Sequence, residues 1–180
     1  MGISSSFLPN DLSLKLKGNL NNLLAANKLF SAGMGQNTDF HRDQEYRKDK
    51  ISWLERDSEN ESEIDFFKYI DTFVHYLNRS CFAGITSYEF HYAIYENGSY
   101  YKRHFDRFLN NDSRVFSMIM YLNEDWKEGD GGELIVYPSR SMVKIKPKMG
   151  KMVFFDSSHI EHEVLETYVP RRSITGWLKR

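Results

Sequence analysis

A chain of 180 residues has room for one sizeable hydrophobic core, which favours a single domain over two. Its 24 basic and 25 acidic residues give a net charge of −1, so the composition offers no overall positive field for nucleic acid or an anionic membrane. Apolar residues at 41% exclude a disordered chain, and the lone Cys81 excludes an internal disulfide. No apolar run approaches the roughly 20 residues of a membrane span. We therefore expect a cytoplasmic protein that binds neither nucleic acid nor membrane.

Two helical patterns occupy the first half of the chain. Leucines recur at three- and four-residue steps over residues 12–30, the spacing of one helical face, and the glycines of residues 31–35 are expected to end that helix. A polar loop is predicted over residues 36–50. Ser58 and Glu61 have the spacing of a capping box for a second helix. The apolar stripe of that helix is predicted to be Ile64, Phe67, Ile70, Phe73, Val74 and Leu77.

After Gly84 the pattern changes to the alternation of β-strands. The first such segment places Phe90 and Tyr92 on one face and His91 and Tyr95 on the other. Further strands are predicted over residues 115–122, 133–137, 142–146, 151–156, 162–166 and 173–178, separated by turn signals. Helices followed by many short strands predict an α+β fold with a sandwich or jelly roll. We expect one domain over residues 1–180, with N-terminal helices at about 10–83 and the jelly roll at about 84–180.

A candidate metal site lies in the strand-rich half. His104 and Asp106 leave the same face of an extended backbone, close enough to bind one ion. Residues 157–162 supply a third candidate as either His159 or His162, and periodicity does not decide between them. We prefer His162, because it begins an apolar-alternating stretch. Two imidazoles and one carboxylate that leave the other coordination positions open are typical of non-haem Fe(II) oxygenases. His41, His75 and His91 have no partner at ligand spacing and are expected to be surface or partly buried residues.

Arg171 is the next candidate. It shares one face of the last predicted strand with Ser173, Thr175 and Trp177. A buried arginine beside a metal site is costly unless it holds an anion, and a guanidinium group binds a carboxylate through two parallel hydrogen bonds. This suggests a dicarboxylate co-substrate, and the alternative is that Arg171 and Arg172 form a basic pair on the surface.

Several ordered motifs together resemble a known family. They are residues 95–106 (YENGSYYKRHFD), 121–126 (YLNEDW), 131–134 (GGEL), 154–156 (FFD), 162–164 (HEV) and 171–177 (RRSITGW). In this order and spacing they resemble the 2-oxoglutarate- and Fe(II)-dependent prolyl hydroxylases, in the branch of the oxygen-sensing hydroxylases and their bacterial relatives. The resemblance covers about residues 47–178, and residues 47–53 (RKDKISW) are similar to the segment that follows the substrate-covering loop of that branch.

The resemblance implies a double-stranded β-helix and a role for each motif. His104, Asp106 and His162 would bind Fe(II), and Arg171 would hold the distal carboxylate of 2-oxoglutarate together with Tyr121. The remaining pocket positions would be Tyr95, Tyr101, Leu134, Thr175 and Trp177. The implied co-reactants are 2-oxoglutarate and O₂, with ascorbate as a reductant.

The implied activity is hydroxylation of an aliphatic C–H group with release of succinate and CO₂. The expected substrate is a prolyl residue of a protein or peptide, over which the loop at residues 36–50 would close. Three alternatives stay open: a related oxygenase acting on another side chain or a small molecule, a metal-binding jelly roll without redox chemistry, and an oxygenase that repairs nucleic acid. The last of these fits least well, because that branch expects a second arginine several residues after the first and here Arg172 is adjacent.

Overall fold

The fold is seen in a computed structural model that describes residues 1–33, 45–107 and 113–180. The described residues form two helices, α1 (Asn10–Ala25) and α2 (Glu61–Cys81). Their strands are β1 (Gly2–Ser4), β2 (Phe30–Ser31), β3 (Lys50–Trp53), β4 (Ser87–Tyr95), β5 (Ser99–His104), β6 (Arg114–Tyr121), β7 (Leu134–Tyr137), β8 (Val143–Ile145), β9 (Met152–Asp156), β10 (Glu161–Thr167) and β11 (Arg171–Lys179).

The strands form two antiparallel sheets. The larger sheet has the order β1-β9-β6-β11-β4-β3-β2, and the smaller has the order β5-β10-β7-β8. Strands that follow one another along the chain, such as β9 and β10, belong to different sheets, so the chain crosses repeatedly between the two layers. This arrangement is a double-stranded β-helix, and the predicted α+β jelly roll with packed helices is confirmed.

The alternating side chains of β4 divide between two cores. Phe90 and Tyr92 pack with apolar side chains of α1 and α2 on the outer face of the larger sheet. Ala93 and Tyr95 pack between the two sheets. The two faces predicted from the alternation are therefore confirmed. Gly176 of β11 lies so close to β4 that a Cβ atom there would clash with the Phe90 ring, which explains a glycine inside a central strand.

Helix α2 begins and packs differently from the prediction. The residue that caps it is Asn60, whose side-chain oxygen accepts hydrogen bonds from the backbone N–H groups of Ser62 and Glu63. The predicted capping box of Ser58 and Glu61 is wrong, because an asparagine two residues later satisfies the first free N–H groups of the helix. Phe66, which was outside the predicted stripe, is fully buried, whereas Ile64 is exposed. Each fully buried side chain of this size contributes about 1.5–3 kcal/mol to folding.

Helix α1 is shorter than predicted. It buries Leu12, Leu16 and Leu20 but ends at Ala25. Asn27 adopts a positive φ of 52°, a conformation that asparagine tolerates better than most residues, and this ends the helix before the predicted glycines. Phe30, which was expected inside the helix, lies in strand β2.

The segment expected to hold only helices also completes the larger sheet. Strands β2 and β3 pair with each other, and β3 pairs with β4. Of the polar loop predicted over residues 36–50, residues 36–44 lie outside the described residues, as does His41. The division at about residue 84 stays a prediction.

Candidate active site

Three side chains with metal-binding atoms meet in a pocket of about 310 Å³ between the two sheets. His104 is the last residue of β5, Asp106 follows it, and His162 lies on β10. One ligand atom from each lies within 4.8 Å of the others. His104 Nε2 is 3.6 Å from Asp106 Oδ1, and His162 Nε2 is 3.5 Å from Asp106 Oδ2. These separations fit donors that surround one ion at about 2 Å.

Strand pairing places the two imidazoles side by side. His162 pairs directly with His104 in the register of β10 and β5, and their ring centroids are 4.2 Å apart. The Nδ1 atom of His104 lies 2.6 Å from the Lys102 carbonyl oxygen. The Nε2 atom of His104 is buried and has no hydrogen-bond partner within the described part of the chain. A buried nitrogen without a partner is costly, and a metal ion would satisfy it.

The Asp106 carboxylate is held in place by Ser117 of β6, which is itself in contact with Ser157, the residue after β9. Ser117 Oγ donates a hydrogen bond of 2.6 Å to Asp106 Oδ2, and Ser157 Oγ lies 2.9 Å from Ser117 Oγ. Burial acts to raise the pKa of Asp106, but the His162 and His104 imidazoles and the Ser117 hydroxyl hold that pKa well below its usual range. Asp106 is therefore a carboxylate at neutral pH, the form that binds metal.

His162 is also in its metal-binding form. Burial lowers its pKa to about 4, although the Asp106 carboxylate acts in the opposite direction. The imidazole is therefore neutral near pH 7 and retains a nitrogen lone pair for a metal ion. Phe155, with its ring centroid 4.8 Å away, packs against the His162 ring.

The structure separates the two candidates for the third position. His162 lies in the cluster, whereas the His159 side chain is 81% exposed and its Nδ1 lies 3.0 Å from an Asp156 carboxylate oxygen. The preference for His162 therefore agrees with the placement of the side chains. Its role as a ligand stays a prediction.

Arg171 carries a buried positive charge in the same pocket. It is 2% exposed. Its Nε donates to the Gly132 carbonyl oxygen at 2.7 Å, and its Nη1 lies 3.3 Å from Ser173 Oγ. Gly132 has a positive φ, and a Cβ atom there would lie 2.9 Å from the Arg171 side chain, so the site needs a glycine at this position. In the ranges that the structure covers, no carboxylate forms an ion pair with Arg171. A buried guanidinium group without a protein anion fits the carboxylate of a ligand.

Aromatic rings surround this guanidinium group. Its carbon lies 4.8 Å from the Tyr95 ring centroid and 5.1 Å from that of Tyr121. The Tyr121 hydroxyl is buried and has no partner among the described residues, and burial raises the pKa of Tyr121 to about 12. Tyr121 is therefore a neutral hydrogen-bond donor beside Arg171.

The remaining predicted pocket residues divide into two groups. Tyr95, Tyr101, Thr175 and Trp177 line the pocket. The Tyr101 ring stacks on His104 with centroids 3.6 Å apart. Leu134 lies in the core behind the pocket wall, fully buried together with Tyr121. The roles given to these residues stay predictions.

Sequence reasoning missed several residues that line the pocket. Arg47 forms an ion pair with the buried Asp49, and Arg114 forms one with the partly exposed Glu89. His91, expected on the surface or partly buried, is only 3% exposed, so that expectation is wrong. The sequence did indicate that His91 lies on the same face of its strand as Tyr95. Its burial could not be read there, because it depends on Trp53 and Trp177 from two other strands.

Comparisons with known proteins agree with this geometry. The model of the 2OG-Fe(II) oxygenase superfamily matches residues 90–179. A solved prolyl-4-hydroxylase from Pseudomonas putida is 31% identical, with a TM-score of 0.89 over 99% of this chain and 91% of that one. The chain therefore belongs to the 2OG-Fe(II) oxygenase superfamily, and its predicted resemblance to the prolyl hydroxylases is confirmed.

Two further proteins are similar to most of this chain. A Trichoplax adhaerens prolyl hydroxylase, solved in complex with a hypoxia inducible factor oxygen degradation domain peptide fragment, is 28% identical with a TM-score of 0.87, over 99% of this chain and 82% of that one. Human Egl nine homolog 1 is 32% identical in an alignment of 155 positions that covers 80% of this chain and 35% of that protein. The chain thus spans about a third of the length of that curated relative. No described helix is long and apolar enough to cross a membrane.

Proposed function

We propose that this protein is an Fe(II)- and 2-oxoglutarate-dependent dioxygenase that hydroxylates a prolyl residue of a protein or peptide. The observation that carries the proposal is the meeting, in one pocket, of the His104, Asp106 and His162 cluster with a buried Arg171 that has no acidic partner among the described residues. The first group fits an iron ion and the second fits a carboxylate, and this activity requires both.

The three ligand residues would hold iron on one side. Two imidazoles and one carboxylate occupy three positions and leave the others for small ligands. Ser117 fixes the orientation of Asp106 through its hydrogen bond, and the Lys102 carbonyl fixes the ring of His104. Iron and 2-oxoglutarate bound here would supply the activation of O₂ that converts 2-oxoglutarate to succinate and CO₂ and adds one oxygen atom to a C–H group.

Arg171 and Tyr121 would position the co-substrate. The guanidinium group would bind the distal carboxylate, and the neutral Tyr121 hydroxyl would donate a hydrogen bond to it. Arg171 also stays oriented without a ligand, because the Gly132 carbonyl and the Ser173 hydroxyl accept hydrogen bonds from its guanidinium group. The rings of Tyr95 and Tyr101 and the side chain of Thr175 would enclose the rest of the molecule and exclude water from the reacting atoms.

Proline as the target rests on the relatives. The Pseudomonas putida and Trichoplax adhaerens proteins are named as prolyl hydroxylases, and the second was solved with a peptide. We also propose a cytoplasmic location, and ascorbate as the reductant that restores iron after turnover without substrate.

The test is a turnover assay with a library of nine-residue peptides that carry a central proline. Succinate formation that needs Fe(II) and 2-oxoglutarate, with a peptide mass gain of one oxygen atom, is the expected result. A peptide in which the central proline is replaced by alanine is the control and should gain no mass. Stimulation of succinate formation by small amines or acids but by no peptide would contradict the prolyl assignment. Metal binding without any succinate would contradict the dioxygenase assignment.

A further inference from the structure

The end of the pocket farthest from Arg171 holds a second group of side chains, which we call the mouth cluster: Trp53, Glu89, His91, Arg114 and Trp177. Strand register explains how it assembles. Trp53 of β3 and Thr175 of β11 both pair with His91 of β4. Two residues further along, Trp177 of β11 pairs with Glu89 of β4. The cluster therefore lies on the inner face of the larger sheet, beside Thr175, and lines the same pocket as the metal site.

The charges of the mouth cluster are satisfied within the protein. Glu89 accepts hydrogen bonds from Arg114 at 2.8 and 3.0 Å and forms an ion pair with Lys179. Arg114 Nη1 also lies 3.3 Å from the Asp106 carbonyl oxygen, and its guanidinium carbon lies 3.4 Å from the centre of the Trp177 ring. This end of the pocket therefore suits a neutral polar group, in contrast to the carboxylate that fits Arg171.

His91 offers a hydrogen-bond acceptor to such a group. Its Nδ1 lies 3.0 Å from the Tyr92 carbonyl oxygen, which fixes the proton on Nδ1. Burial lowers the pKa of His91 to about 4, so the ring is neutral near pH 7. Its Nε2 then carries the lone pair, so this is the ring atom that can accept a hydrogen bond. The ring is held between Trp53 and Trp177, with centroid distances of 5.1 and 5.5 Å.

Trp177 offers the matching donor. The residue is 7% exposed, and its indole Nε1–H is buried without a partner in the described ranges. Its ring is fixed by the Arg114 guanidinium on one side and by His91 beside it. A neutral acceptor and a neutral donor on neighbouring rings match a backbone segment, because an extended residue presents its N–H and C=O groups to the same side.

We propose that His91 Nε2 and Trp177 Nε1 bind the backbone N–H and C=O groups of an extended substrate residue next to the target residue. This inference rests on the proposed function and makes His91 a specificity-determining residue for peptide substrates. The bound residue is not proline, because proline has no N–H to donate to His91.

The test uses the nine-residue peptide that the wild-type protein hydroxylates fastest, and a set of its analogues in which one backbone amide at a time is replaced by an ester. An ester lacks the N–H group but keeps the shape of the chain. We expect one position next to the proline at which the ester raises the KM of the wild-type protein about tenfold, the loss of one hydrogen bond. In His91→Leu, that same ester should carry no penalty.

Two further variants separate recognition from folding. His91→Leu should raise the KM for the all-amide peptide about tenfold but that for 2-oxoglutarate by less than about twofold. His91→Gln, whose side-chain oxygen accepts a hydrogen bond, should recover part of the loss. His75→Leu on the exposed side of α2 is the matched control and should behave like the wild type.

Two results would overturn the inference: equal ester penalties in the wild type and His91→Leu at every position, or a rise in the KM for 2-oxoglutarate as large as that for the peptide. Failure of the proposed function is recognised separately, since the wild-type protein would then form no succinate, and it would remove this inference as well.

Discussion

The two ends of the pocket differ in whether their arginine has an acidic partner among the described residues. At the inner end, Arg171 is buried without an acidic partner in the described chain. At the outer end, Arg114 is paired with Glu89, and elsewhere in the pocket Arg47, which lies over the Tyr101 ring, is paired with Asp49. A buried cation without an anion is costly unless a ligand supplies one, whereas a paired cation needs none. The contrast locates the charged co-substrate at Arg171 and leaves the mouth cluster for a neutral substrate group.

The largest effect expected at the inner end is the loss of a metal ligand. His162→Ala should lower iron-dependent succinate formation about 100-fold or more, because removal of a supporting residue alone typically costs 10- to 100-fold. His159→Ala is the matched control, since that side chain is exposed and outside the cluster. Steady-state succinate assays at saturating Fe(II) compare the two. Full activity in His162→Ala together with loss in His159→Ala would reverse the ligand assignment.

Stability measurements on metal-free protein test the contrast in charge directly. Asp49→Ala leaves Arg47 buried without its partner and should lower the free energy of unfolding by about 3–5 kcal/mol. Arg171→Met removes a charge that has no acidic partner among the described residues, so it should leave stability unchanged or raise it. Urea denaturation of both variants is the measurement. Equal destabilisation would mean that Arg171 has an anion in the free protein and would break the comparison.

Acid should destabilise the outer end through His91. Its pKa is about 6.5 in an unfolded chain and about 4 when folded, so below pH 6.5 the unfolded state binds the proton more tightly. The free energy of unfolding therefore has its full value above pH 6.5 and falls by about 3 kcal/mol as the pH drops towards 4. Urea midpoints at pH 7 and pH 4.5 measure this fall. It should be smaller in His91→Leu, although His162 adds a fall in the same direction. An unchanged pH dependence in that variant would show that His91 is not buried in the neutral form.

The smallest effect is expected from the support of Asp106. Ser117→Ala removes the hydrogen bond to Asp106 Oδ2 and should weaken Fe(II) binding about tenfold while the fold is kept. Competition between iron and a chelator measures the affinity. Thr72→Ala on the exposed face of α2 is the control. Unchanged iron affinity in Ser117→Ala would show that strand geometry alone orients Asp106.

The parts predicted from sequence were those carried by local pattern. Alternation along β4 identified the two faces of the larger sheet, and the spacing of His104 and Asp106 on an extended segment placed both in the cluster. Alternation along β11 placed Arg171 on the face of Thr175, which also lines the pocket, but the choice of Arg171 over a surface basic pair came from the family resemblance.

The parts that sequence did not reveal depend on contacts between distant segments. Burial of His91 comes from tryptophans on β3 and β11, and no local pattern encodes that meeting. The helix ends were misplaced because single asparagines, Asn27 and Asn60, ended one helix and capped the other ahead of the glycine and serine signals. Short competing signals of this kind differ by little in free energy, so the tertiary context decides among them.

The most direct test of the central claim is an anaerobic titration of metal-free protein with Fe(II) and then 2-oxoglutarate, followed by visible absorption. Chelation of iron by the co-substrate gives a charge-transfer band. We predict this band in the wild type and in Arg172→Ala, whose guanidinium group bonds to Asn21 on the helix side. The band should weaken strongly in Arg171→Ala at the same 2-oxoglutarate concentration. A folded, iron-loaded wild-type protein without the band, or a band of equal strength in Arg171→Ala, would contradict the account.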